Sequence, residues 1–169
     1  MNAYGSDDTG PHPDAGDEIC PLPNGMSVYH TNQYETDFLY KEIFLERAYL
    51  KNGISLAANA CVFDVGANIG MFTLFVKQER ADAQLYALEP TPKLNRILRL
   101  NVAHYGQSVN VYQTGLSDHE GEATLTYYPD YSIMSGFHAD TSGDRRRPTL
   151  GGLSQSVVEE QCRPQGSAG

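Results

Sequence analysis

Positive charge is missing from the beginning of this chain: none of the first 40 residues is Lys or Arg. The same stretch carries seven acids, Asp7, Asp8, Asp14, Asp17, Glu18, Glu35 and Asp37, and so holds most of the formal net charge of -9. A nucleic-acid surface needs clustered cations to neutralise phosphates. The basic cluster Arg145-Arg146-Arg147 lies in polar sequence without periodicity, so no nucleic-acid partner is expected. Long apolar runs are also lacking, which excludes a membrane-spanning helix, and no basic-then-apolar leader opens the chain. The expectation is a soluble, cytoplasmic protein with no membrane partner. Cysteine is sparse. Cys20, Cys61 and Cys162 match no metal or redox spacing, so no metal site is expected, and Cys61 reads as a small core residue.

With 169 residues there is room for one domain. Residues 1–24 are rich in Gly, Pro, Asp and Ser and read as a flexible acidic lead-in. Residues 25–140 read as the organised core, and residues 141–169 as a tail of low order. Within the core, Met26 to Tyr29 suggests a short strand. Tyr34 to Leu50 suggests an amphipathic helix stopped at Asn52-Gly53. Cys61 to Val65 is a short apolar run, as in a strand buried on both faces. Ile69 to Arg80 suggests a helix, and Gln84 to Leu88 a second strand. Thr91 suits an N-cap and Pro92 the first helical position, where its missing N–H costs nothing. The helix that follows places Leu94, Ile97, Leu98 and Val102 on one face. Ser108 to Tyr112 makes a third strand. Such alternation builds a parallel α/β half-sheet. Glu122 to Tyr128 alternates polar and apolar residues and reads as an edge strand. Leu153 to Cys162 has the length of one short helix.

The chemistry concentrates in Val62-Phe-Asp-Val-Gly-Ala-Asn-Ile-Gly70, between the buried strand and the helix. Glycines let the backbone turn sharply and bring a ligand against bare main chain. The helix start behind them offers free N–H groups, and in a doubly wound sheet ligands bind at this edge. The dinucleotide fingerprint would need glycines at positions 68 and 71, where the chain has Asn68 and Met71, and no P-loop ending is present. Glu89 ends the second strand, 19 residues after Gly70, where a carboxylate can accept both hydroxyls of a ribose. The plainer alternatives are that Asp64 caps a turn, that Asn68 is a left-handed turn residue, and that Glu89 is a solvated strand end. His12, His30, His104, His119 and His138 show no ligand spacing.

The form D-x-G-x-N-x-G resembles motif I of S-adenosylmethionine-dependent methyltransferases. Three patches in order, DVGANIG at 64–70, EPTPKLNRILRLN at 89–101 and GLSDHEGEATL at 115–125, are similar to the FkbM family, and the segment Leu22 to Phe44 resembles the region before its core. The similarity extends over residues 22–140 and points to the branch attached to polyketide and nonribosomal peptide assembly lines.

The resemblance implies a Rossmann-like class I methyltransferase fold, α/β with a parallel sheet, and S-adenosylmethionine as methyl donor. Asp64, Gly66, Ala67, Asn68 and Gly70 would surround its methionine part, Glu89 its ribose, and Ser117 its adenine side. The implied reaction is O-methylation of a hydroxylated acceptor, either a small molecule such as a sugar or a carrier-bound polyketide or peptide. The family's later D-x-L-K-I-D-x-E-G-x-E segment has no counterpart here. The expectation is therefore an incomplete, N-terminal half of the fold, with its first strand left unpaired on one edge and no nameable catalytic base. Two rivals follow: a truncated donor-binding remnant or module without the acceptor half, and an NAD-type oxidoreductase.

Overall fold

A computed structural model of the chain describes residues 11–128, 132–136 and 149–154. Its centre is a parallel three-stranded sheet formed by β3 (Cys61–Val65), β4 (Gln84–Leu88) and β5 (Asn110–Tyr112), side by side in that order. Helix α2 (Met71–Glu79) connects β3 to β4, and helix α3 (Pro92–His104) connects β4 to β5. This is an α/β, Rossmann-like arrangement of the extent of a partial domain.

The register explains the packing. Val62 pairs with Leu85 and Asp64 with Ala87, so these four share the sheet face against the helices. From α2, Leu74, Phe75 and Val76 are buried; from α3, Leu94, Ile97, Leu98 and Val102. Together they put two apolar helical stripes on one sheet face. Thr91 stands at the N-cap of α3 with Pro92 behind it, and Thr91 makes no side-chain capping bond.

Several expectations need correction. Cys61 to Val65 is not buried on both faces: Phe63 is 46% and Val65 51% exposed, and Cys61 is exposed rather than in the core. Cys61, Phe63 and Val65 alternate with Val62 and Asp64 and so point to the sheet face opposite α2 and α3, and β3 is an outer strand, paired among the described residues with β4 alone.

The stretch from Tyr34 to Leu50 is not one helix. Helix α1 (Gln33–Tyr40) widens into a π-helical turn at Lys41–Leu45, and a 3-10 turn follows at Ala48–Leu50. Arg47 breaks the run with φ of 49°. Its guanidinium reaches Glu79 at 3.0 and 2.7 Å and lies 5.2 Å from the centre of the Phe75 ring.

The lead-in also has structure at its end. Strand β1 (Glu18–Pro21) pairs antiparallel with β2 (Ser27–His30). Cys20, Leu22 and Val28 enter the core. Asp17 grips Arg96 of α3 through two bonds of 2.6 Å, which holds the Asp17 carboxyl below its ordinary range.

Beyond the central sheet, β6 (Glu122–Thr126) pairs antiparallel with β7 (Thr149–Ser154), inside the tail expected to lack order. Leu153 and Ser154 belong to β7 rather than to a helix, and residues 155–162 lie outside the described ones. The Arg145 to Arg147 cluster and His138 also lie outside them. No helix among the described residues is long and apolar enough to cross a membrane.

Candidate functional site

The carboxyl ends of β3 and β4 meet the turn that leads into α2. Gly66 and Ala67 donate their N–H groups to the Leu88 carbonyl, at 2.9 and 3.0 Å. The turn is thereby locked to the end of β4, beside Glu89. Asn68, with φ of 52°, donates its own N–H to Glu89 Oε2 at 2.9 Å, and Thr91 donates to Oε1 at 2.8 Å. Glu89 is 4% exposed. Burial pushes its pKa up, against the opposing pull of the Thr91 and Asn68 bonds. Asn95 holds the main chain here, donating to the Glu89 and Tyr112 carbonyls at 3.1 and 2.9 Å.

Two cavities flank the turn. One, of about 240 Å³, is walled by Gly66, Asn68, Glu89, Pro90, Leu94, Gly115, Leu116, Leu125 and Ile133. The other, of about 300 Å³, is walled by Leu39, Ile43, Tyr49, Phe63, Asp64, Ala67 and Phe72. Val65, Gly66 and Asn68 line both. The first combines apolar walls with a buried carboxylate and bare main chain, as small-molecule sites commonly do. The second has an aromatic wall and one acid.

That acid, Asp64, is 7% exposed and accepts a bond from the Thr73 hydroxyl at 2.6 Å. Burial pushes its pKa up to about 6; the Thr73 bond works against the rise and the nearby Glu89 charge adds to it. A carboxyl poised near 6 can hold an ammonium group when ionised.

The two glycines of the turn differ in what they face. Gly66 has φ of +74°, and nothing lies within 4 Å of where its Cβ would stand. Gly70 has φ of +92°, and a Cβ there would meet Leu98 Cδ1 at 2.6 Å. Gly66 therefore faces open space, whereas Gly70 permits close packing of the turn on α3. Of the sequence-derived candidates, Gly66, Asn68 and Glu89 meet at the first cavity, and Asp64 and Ala67 at the second. Gly70 lines neither. Ser117 is exposed and bonds Asp118 and His119 at 3.4 Å each, while Gly115 and Leu116 of the same turn supply the cavity wall.

Sequence reasoning missed four polar residues that organise this site, Asn95, Asn101, Ser132 and Glu35. Asn101 is fully buried and joins the Ile69 carbonyl at 2.7 Å to the main chain of Tyr29 in β2. Its signal was legible, since a polar residue sits among the apolar positions of α3, as does Asn95. Ser132 and Glu35 come from distant segments and carried no local signal. Among the described residues no group of three metal-ligating side chains comes together.

No protein-family model matches the chain. It is 41% identical over 143 residues to the 31-O-demethyl-FK506 methyltransferase FkbM of Streptomyces tacrolimicus, covering 85% of this chain and 55% of that protein. It is 44% identical over 126 residues to the AMB antimetabolite synthetase AmbE of Pseudomonas aeruginosa, covering 73% of this chain and 6% of that one. It is 39% identical over 109 residues to the methyltransferase sdnD of Sordaria araneosa, covering 62% and 40%. The chain thus spans about half the length of the methyltransferase FkbM that it matches, and only a small part of the synthetase.

Proposed function

We propose that this chain, which belongs to the FkbM family of methyltransferases, binds S-adenosylmethionine across the two cavities and serves methyl transfer to a hydroxyl oxygen. The observation that carries the reading is the meeting of Glu89 with the Gly66 to Asn68 turn around one cavity. The residues present fit such a donor. Each Glu89 oxygen accepts one main-chain N–H and keeps a second lone pair for a ribose hydroxyl. The open space at Gly66 admits a ligand to the main chain. Leu94, Leu116, Leu125 and Ile133 give the first cavity an apolar slot for a base. Asp64 faces the second cavity, where an α-amino group would find a carboxylate.

Bound there, S-adenosylmethionine supplies an electrophilic methyl group on a sulfonium. The chain's own contribution is to hold and orient: Glu89 fixes the ribose, Asp64 the amino group, and the turn sets the distance between them. Positioning supplies much of the rate in an in-line displacement. The acceptor we infer is a hydroxylated natural product, free or carrier-bound. The names of two relatives, a 31-O-demethyl-FK506 methyltransferase and an antimetabolite synthetase, support that class. Calorimetry with S-adenosylmethionine, S-adenosylhomocysteine and NAD tests the reading. The expected result is micromolar binding of the first two, and preferential binding of NAD would overturn it.

One observation favours a second reading, a donor-binding module without an acceptor half. Among the described residues β3 has no neighbour on its outer edge, and the chain covers 55% of its FkbM relative. Transfer of a radiolabelled methyl group by the purified chain separates the two readings.

A further inference from the structure

Helix α1 opens with Asn32 at its N-cap, whose side chain accepts the Glu35 N–H at 2.8 Å. In a reciprocal capping box the carboxylate at this third helical position turns back to the N-cap N–H. Glu35 turns elsewhere. Its Oε2 accepts the Ser132 hydroxyl at 2.7 Å and its Oε1 the Ile133 N–H at 3.3 Å, bonds that span 97 and 98 residues. Glu35 and Ser132 are each 3% exposed. A carboxylate so deeply placed is costly to desolvate unless its partners compensate, and those partners lie in a single short turn.

That turn closes the first cavity. Ser132, Ile133, Ser135 and Gly136 form part of its wall. At the far end, Gly136 exchanges two main-chain bonds with Thr126 of β6, at 3.0 and 3.1 Å. At the near end, the Ser132 oxygen accepts the Asn68 side-chain amide at 3.0 Å while its own proton goes to Glu35. The Asn68 N–H in turn holds Glu89. One continuous relay therefore runs Glu35, Ser132, Asn68, Glu89, from the N-terminal helix to the carboxylate of the cavity.

We propose that Glu35 is a positioning residue for the methyl donor: through Ser132 it holds the Ser132–Gly136 turn over the adenosyl cavity and anchors the Asn68 side-chain amide, steadying the residue whose main-chain N–H holds Glu89. The inference rests on the donor-binding reading. Glu35 does not touch the donor. Its carboxylate fixes which way the Ser132 proton points, so the Ser132 oxygen is left as the acceptor for Asn68. Loss of that carboxylate frees the hydroxyl to rotate and loosens both the cavity wall and the turn that carries Asn68.

The test is a double-mutant cycle on the full chain with Glu35→Gln and Ser132→Ala. Affinity for S-adenosylhomocysteine is read by calorimetry well below each variant's melting temperature. Each single change is expected to weaken binding about tenfold, and the double change no more than either alone, because both cut one relay. Amide exchange at Ile133 and Asn68 should quicken in both variants. A role confined to the stability of α1 would lower the melting temperature, leave the affinity of the folded fraction unchanged, and overturn the proposal. Losses that multiply to about a hundredfold would overturn it as well. Failure of the unaltered chain to bind donor would instead remove the donor reading itself, and this inference with it. Glu35→Gln keeps the shape of the side chain, so the cycle does not depend on a truncated variant that fails to fold.

Discussion

Asn68 and Glu89 are joined main chain to side chain: the Asn68 N–H points at Glu89 Oε2 across 2.9 Å. The bond links the end of one strand to the turn after its neighbour. It also fixes the carboxylate at the cavity before any ligand arrives. Preorganisation of this kind spares the ligand the cost of ordering its own site.

Glu89→Ala should therefore do two kinds of damage. The N–H groups of Asn68 and Thr91 lose their acceptor in a buried place, which costs about 1–3 kcal/mol per group. The ribose loses its anchor, so donor affinity should fall by tenfold or more, about 1.4 kcal/mol at the least. Calorimetry and thermal melts on the same sample separate the two effects. Unchanged donor affinity would place the ribose elsewhere.

The two turn glycines should separate cleanly by what they face. Gly66→Ala strains a left-handed backbone but meets open space, so a drop of about 1 kcal/mol in stability is expected, with donor binding lost. Gly70→Ala adds a collision at 2.6 Å with the Leu98 side chain. Its main effect should be a larger fall in melting temperature, with donor affinity largely kept in the folded fraction. Melts with and without S-adenosylhomocysteine show which glycine abolishes ligand-induced stabilisation.

Why Gly66 and Gly70 differ shows how far the sequence can be read. The strands β3 and β4, the turn between β3 and α2, and α3 are written in local signals: short apolar runs, a Gly-rich break, Pro92 at a helix start, and the stripe from Leu94 to Val102. Those signals also placed Asp64, Asn68 and Glu89 at one sheet edge. What they could not carry is contact at long range. Leu98 fills the space beside Gly70, and nothing near Gly70 in sequence says so. Glu35 looks like an ordinary first-turn acid, yet both its oxygens serve residues near position 132. Strand β7 contains Gly151 and Gly152 and reads locally as loop, and pairing with β6 makes it a strand. Arg47 ends the helical run in a left-handed conformation, and its guanidinium reaches Glu79 and Phe75, contacts that exist only in the folded chain.

Asp64 should give the chain a specific pH signature. Its folded pKa of about 6 lies above the ordinary value of 3.8. A raised carboxyl contributes stability that is full below the unfolded value and is lost as pH rises through the folded one. The fold is thus favoured by protonation of Asp64, and that contribution, about 3 kcal/mol at full size, disappears between pH 4 and roughly pH 7. Other carboxyls such as Asp17 and Glu79 are shifted downward by Arg96 and Arg47 and act in the opposite sense. The comparison that isolates Asp64 is wild type against Asp64→Asn. The variant should be the more stable at pH 8, with the difference vanishing near pH 4, while losing donor affinity. Donor binding by the wild type should release a proton near pH 6, visible as a buffer-dependent binding enthalpy.

The last expectation is that the chain alone holds donor but transfers methyl groups slowly, and that it self-associates. Strand β3 pairs with β4 on one edge, and no described strand covers the other. Its outward side chains Phe63 and Val65 are half exposed beside the aromatic wall of the second cavity. An apolar strand with an open edge is a template for pairing with another chain. On the donor reading proposed above, groups that face the acceptor across the sulfonium would lie beyond that edge, and positioning of the acceptor is worth up to roughly 7–11 kcal/mol when complete. Sedimentation of the purified chain should show association that grows with concentration, and Phe63→Lys should reduce it. A radiolabelled transfer assay with hydroxylated polyketide-like acceptors, run beside a version extended with the remaining part of a relative, should show far higher turnover for the longer protein. Equal turnover by the two would mean that the acceptor side is already built within these 169 residues.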